Sequence, residues 1–215
     1  MKQALIQLLI SNFHLMNIVA VVFLIAIFLI QVIAEKTHSD LRRNGFFGRV
    51  IFLAAAVSLF GYAAYLSWQQ YRIWINNDLT KLFLPPYASL DYFIFYVRTR
   101  FFNAYLLSLL IGLGFLWGAK KINQKYEERF FEPIEPYLLE TSIFIVGHPL
   151  WLFYMIILLT LYLFINSLFT IHNSLFKKGE TPRISLYYLW LPAAIFTILI
   201  SRWIEALSWW QVFKF

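Results

Sequence analysis

The sequence has 215 residues, of which 61% are hydrophobic and only 13% are charged. Soluble chains carry about a quarter charged residues, so this composition excludes a soluble globular domain and predicts an all-α, polytopic integral membrane helical bundle. The net charge of +7 lies in short clusters between apolar runs, which indicates basic cytoplasmic loops rather than a nucleic-acid-binding surface. The lack of cysteine excludes disulfides and thiolate chemistry.

The start of the chain predicts an interfacial segment followed by the first membrane span. Residues 1–17 mix apolar side chains with glutamine, asparagine and histidine, a pattern typical of an amphipathic helix at the membrane surface. Lys2 alone supplies the basic start of a signal peptide and no cleavage site follows, so we expect these residues to be retained. Residues 18–34 are uncharged, predominantly apolar and long enough to form a span. We treat residues 18–215 as a single transmembrane domain.

The next two spans predict a hairpin. A span at 50–68 and a span at 101–119 enclose a mixed aromatic and charged stretch, which we assign to the membrane surface. Because consecutive spans cross in opposite directions, the loops at 35–49 and 120–136 should lie on the same face. Both loops are basic, which favours the cytoplasmic face.

The uncharged stretch at 141–176 is too long for one crossing. As a single helix it would be about 54 Å long, whereas the hydrocarbon core is about 30 Å thick. The Gly-His-Pro sequence at 147–149 predicts a break, because a residue that precedes proline disfavours helical backbone. We therefore expect a short helix at 137–147 and a span at 149–171. A last span at 184–201 brings the expected number of transmembrane segments to about five.

Acidic side chains near the predicted cytoplasmic face are the candidates for chemistry. Asp40 follows the first span, while Glu132, Glu135 and Glu140 surround the start of the short helix. Two carboxyl groups that share a proton can act as base and acid, and so activate water against a peptide bond. Solvated loop charges explain the same residues without chemistry. Glu140 lies inside an apolar stretch, so we expect it to have a structural partner.

The histidines do not predict a metal site. They are scattered along the chain without the helical spacing that would place two of them on one face, and we expect His148 to bond backbone at the helix break. We therefore expect no metal, no cofactor and no nucleic-acid partner. Membrane lipids are the partners that the composition predicts.

Three segments resemble the active-site segments of the type IV prepilin peptidase family of membrane aspartic proteases. Residues 40–49 (DLRRNGFFGR) place an aspartate and a basic pair after a span, as in the family's first segment. Residues 132–149 (EPIEPYLLETSIFIVGHP) are similar to the second segment, a Gly-x-Gly-Asp motif and an apolar helix. Glu135 stands at the aspartate position, and the glycines are missing. Residues 183–192 (RISLYYLWLP) look like the opening of the family's last span, so the resemblance covers about residues 18–201.

The resemblance implies an endopeptidase that cleaves the leader peptides of pilin-like precursors at the cytoplasmic face of a bacterial inner membrane. Asp40 and Glu135 would form its catalytic dyad. Because the glycines are missing, an inactive, diverged member of the family is an open alternative. The alternative is a non-catalytic membrane subunit that assembles or anchors a larger complex. A small transporter fits less well, because such proteins usually show paired broken helices and one break is predicted here.

Overall fold

The computed structural model describes residues 17–33, 45–127, 130–175 and 186–206. Within these ranges the chain forms α-helices and short helical turns, with no strand, which confirms the predicted all-α class. The α-helices are α1 (Asn17–Ile33), α2 (Gly45–Ile75), α3 (Asp91–Val97), α4 (Asn103–Lys125), α5 (Glu135–Val146), α6 (Trp151–Leu175) and α7 (Trp190–Glu205). Of the predicted interfacial helix at 1–17, only Asn17 lies within the described residues.

Four helical stretches are long and apolar enough to cross a membrane. They are Gly45–Ile75, Asp91–Lys125, Trp151–His172 and Leu186–Glu205, and α1 is a shorter apolar helix. A π-helical turn, Arg98–Phe102, joins α3 to α4 without interrupting the second stretch. The chain is therefore an integral membrane helical bundle.

The helices of the hairpin are longer than the sequence predicted. We predicted that residues 69–100 lie at the membrane surface, and this is wrong at both ends of the segment. Helix α2 continues to Ile75, and the next helical stretch begins at Asp91. Aromatic packing explains the extension, since Trp74 on α2 contacts Phe93 and Tyr96 at ring-centroid distances of 5.2 and 5.1 Å. These rings give the helix ends a small core of their own, which hydropathy alone does not reveal.

Helix α5 is the centre of the bundle. All twelve of its residues are buried, and it packs against α2, α4 and α7. The Phe144 ring lies between Phe52 and Phe60 of α2 and Tyr105 of α4, with centroid distances of 5.8, 5.6 and 6.2 Å. A helix of this length is about 18 Å long, too short to span the membrane alone, and the surrounding helices shield it.

The predicted break after α5 is confirmed. Helix α5 ends at Val146, Gly147 adopts a φ of +81°, and α6 begins at Trp151. Glycine is the residue that takes a positive φ without steric cost. The turn between α5 and α6 lies against α4, where the Ala104 carbonyl accepts the N–H of His148 at 3.4 Å.

Candidate functional site

The start of α2, the end of α4 and the start of α5 meet at one end of the bundle. We call this the Tyr137 end and define it by Gly45, Gly48, Arg49, Lys120 and Tyr137. A Cβ placed on Gly48 would lie 2.8 Å from the Cβ of Tyr137, and one on Gly45 would lie 3.5 Å from the Pro133 carbonyl oxygen. Glycine at position 48 therefore permits α2 and α5 to approach so closely.

Two cations converge on one phenol oxygen at this end. Arg49 Nε and Lys120 Nζ each donate a hydrogen bond of 2.7 Å to the Tyr137 hydroxyl oxygen. The Lys120 ammonium also lies 4.3 Å from the centroid of the Tyr137 ring. Burial of Tyr137 acts to raise its pKa, but the hydrogen bonds and charges of Lys120 and Arg49 outweigh that effect, and the net pKa is lowered.

The two cations repel each other. Because each donor nitrogen lies 2.7 Å from the same oxygen, they are no more than twice that distance apart. Unit charges at that separation repel by about 1 kcal/mol in water and about 3 kcal/mol at the effective dielectric of a protein surface. Among the described residues, no carboxylate lies within ion-pair distance of Arg49 or Lys120. The phenol therefore holds two like charges together, and no described carboxylate is close enough to form an ion pair with either of them.

Glu135, one member of the predicted dyad, is buried at the start of α5 with an exposed fraction of 2%. Its carboxylate accepts the backbone N–H of Glu132 at 2.9 Å, and its own N–H donates to the Glu132 carbonyl at 2.9 Å. These reciprocal bonds close the turn that begins α5. Asp40 lies outside the described residues, so the dyad stays a prediction.

Glu140 is buried one turn further into the bundle. Its exposed fraction is 1%, and neither carboxyl oxygen has a hydrogen-bond partner among the described residues. Within the described ranges, no hydrogen bond supplies the structural partner that the sequence predicts for Glu140. Gly112 of α4 faces it, and a Cβ there would lie 3.4 Å from the Glu140 Cγ.

Asn123 was missed by the sequence analysis although it organises the loop beside the site. Its side-chain oxygen accepts the N–H groups of Phe130 and Phe131 at 3.2 and 2.9 Å, and its amide donates to the Phe131 carbonyl at 2.6 Å. An asparagine near the end of an apolar helix and before a charged loop is the signal that could have found it.

The Tyr137 cluster was also missed, and no local signal could have found it. Tyr137 lies 88 residues from Arg49 and 17 from Lys120, and both cations read as ordinary loop charges. His148 bonds backbone through its main-chain N–H, whereas its imidazole Nδ1 accepts the Trp151 indole N–H at 3.3 Å. Over the described residues, no group of three or more histidine, aspartate or glutamate side chains could hold a metal ion.

Comparison with family models, with curated proteins and with solved structures finds no match for this chain.

Proposed function

We propose that this chain is a membrane aspartic endopeptidase of the prepilin-peptidase type. The observation that supports the proposal is the meeting of α2 and α5 at the Tyr137 end, where Gly48 packs on Tyr137 and Gly45 lies beside Pro133. These residues belong to the two segments, 40–49 and 132–149, on which the family resemblance rests. An aspartic dyad needs such a meeting, because its two carboxyl groups act within hydrogen-bond reach of one water molecule.

In the proposed reaction Asp40 and Glu135 share the work of a base and an acid. The ionised carboxylate takes a proton from water, and the water oxygen bonds to the carbonyl carbon of the peptide. The protonated carboxyl gives its proton to the peptide nitrogen as the C–N bond breaks. The substrate would be the leader peptide of a pilin-like precursor, cut where the basic end of the bundle meets the cytoplasm of a bacterial cell.

Asp40→Asn and Glu135→Gln should each abolish processing of a co-expressed pilin-like precursor. The glutamine variant tests chemistry rather than folding, because its amide oxygen can still accept the Glu132 N–H that the carboxylate accepts now. Processing is read from the precursor's size on a gel, and folded protein from its yield after size exclusion. Glu127→Gln, at an exposed acid in the neighbouring loop, is the matched control and should process normally. Full processing in both dyad variants would refute the assignment.

The second candidate is a non-catalytic membrane subunit that assembles or anchors a larger complex. It is favoured by the reciprocal bonds of Glu132 and Glu135, which give the buried Glu135 carboxylate a structural role. A purely structural Glu135 predicts that Glu135→Ala lowers the yield of folded protein, whereas Glu135→Gln matches the unmodified chain in yield and in every function. Loss of precursor processing in a well-folded Glu135→Gln variant contradicts this candidate.

A further inference from the structure

We propose that Arg49 and Lys120, held together by the Tyr137 hydroxyl, form a binding site for a phosphate group. The inference rests on the Tyr137 end alone and does not depend on the proposed peptidase activity. The proposal gives this cluster a ligand, whereas the sequence alone indicated only solvated charges in the loops.

Both cations keep donors that the described structure does not use. Arg49 bonds Tyr137 through Nε, so the terminal nitrogens of its planar guanidinium remain to form the paired bonds that phosphate oxygens accept. Lys120 uses one of its three N–H bonds on the same phenol oxygen. The Tyr137 oxygen accepts a hydrogen bond from each cation but does not neutralise their charges as a carboxylate would. An anion with several acceptor oxygens could therefore bond both side chains and relieve their mutual repulsion.

The cluster is reachable and prearranged. Arg49 is exposed and Lys120 half-buried, whereas the Tyr137 ring beneath them is 5% exposed and fixed against Gly48. A buried ring that orients two long, otherwise mobile side chains reduces the ordering cost that a ligand must overcome. Tyr137 is in this sense a positioning residue, and the cations make the contact.

The position along the helices indicates where the phosphate comes from. Arg49 lies in the first turns of α2 and Lys120 in the last turns of α4, both at the ends of stretches long enough to cross a membrane. Those ends reach the headgroup layer, where anionic lipids present phosphates to basic side chains. A lipid headgroup and free phosphate offer the same chemistry, and the experiment separates them.

The test uses the full chain, purified in neutral detergent, with thermal unfolding followed by tryptophan fluorescence. Phosphatidylglycerol is titrated as the anionic lipid, phosphatidylcholine as the zwitterionic lipid, and inorganic phosphate as the free anion. We expect phosphatidylglycerol to raise the unfolding midpoint saturably and phosphatidylcholine to do so weakly. Competition by inorganic phosphate would identify the bare phosphate as sufficient, and its failure to compete would identify the lipid headgroup. Failure of all three to raise the midpoint would overturn the proposal.

Variants locate the site. Arg49→Gln and Lys120→Gln should each weaken phosphatidylglycerol binding by about tenfold or more, as expected for loss of a charge-assisted hydrogen bond, and Lys120→Arg should retain it. Tyr137→Phe keeps the ring but removes the shared oxygen, so binding should also weaken. The matched control is Lys121→Gln, whose ammonium lies 4.7 Å over the Trp117 ring and outside the cluster. An equal loss in Lys121→Gln, or undiminished binding in Arg49→Gln and Lys120→Gln, would show only diffuse charge attraction.

Discussion

At the scale of single residues, Glu140 lies in surroundings that do not suit an ionised acid. An acid buried to 1% exposure in a membrane bundle is costly when ionised and unpaired, and its two oxygens have no hydrogen-bond partner among the described residues. Gly112 leaves room for it, and Thr141 and Ser142 continue a short polar run along α5. Protonation is the simplest way for the folded chain to carry this residue.

We predict that Glu140→Gln leaves the bundle at least as stable as the unmodified chain. Glutamine has nearly the shape of glutamate and places no charge at a buried position without a described hydrogen-bond partner. Unfolding midpoints of the two proteins measure the effect, and a lower midpoint for Glu140→Gln would contradict the prediction.

At the scale of elements, α2 shows how a helix with little sequence amphipathicity still has one packing face. Its buried residues recur every three or four positions along one stripe, Gly48, Ile51, Ala55, Leu59, Ala63, Leu66, Gln70 and Trp74. Small residues in that stripe let α5 approach, because close backbone contact is what associates helices when lipid is as apolar as the side chains. The opposite face is apolar too and meets lipid, so hydropathy cannot tell the faces apart.

We predict that Gly48→Ala destabilises the bundle while Gly61→Ala does not. A Cβ at Gly48 would overlap Tyr137 at 2.8 Å, whereas one at Gly61 would meet no atom within 4 Å. Both changes gain helix propensity of about 1 kcal/mol, so the free energies of unfolding should differ by the overpacking cost of about 1–3 kcal/mol. Unfolding by a denaturing detergent compares the two variants on one helix. Equal stability would mean that α2 and α5 do not pack closely at position 48.

At the scale of the whole molecule, the hairpin of α2 and α4 decides which segments can work together. Arg49 and Lys120 mark one end through Tyr137, and the rings of Trp74 and Phe93 mark the other. The described parts of the two loops predicted to share a face, residues 45–49, 120–127 and 130–136, do lie at the same end of the bundle.

Cysteine labelling should place residues 46 and 124 on one side of the membrane and residue 89 on the other. The chain contains no native cysteine, so Phe46→Cys, Gln124→Cys and Ser89→Cys each give a single thiol at an exposed position. In intact cells an impermeant thiol reagent should label Ser89→Cys, and it should reach the other two after the membrane is broken. Labelling of Phe46→Cys and Gln124→Cys under different conditions would disprove the hairpin and with it any dyad at the Tyr137 end.

The sequence by itself determined the fold class, the approximate spans and the break at Gly147. Each of these follows from a local rule: uncharged runs of sufficient length enter the membrane, and helix ends where glycine and proline interrupt it. The order of the spans also determined which loops share a face. These properties could be predicted because they need only neighbouring residues and the thickness of the bilayer.

Only the tertiary structure decided which residues meet. It buried α5 on all sides, used the Glu135 carboxylate to close a turn, left Glu140 without a described partner, and drew Arg49 to Tyr137 across 88 positions. The physical reason is that lateral helix packing depends on the fit of small and large side chains from several helices at once. Hydrophobicity drives a helix into the membrane but does not determine which helices it packs against. Those contacts therefore cannot be predicted from the sequence of any one segment.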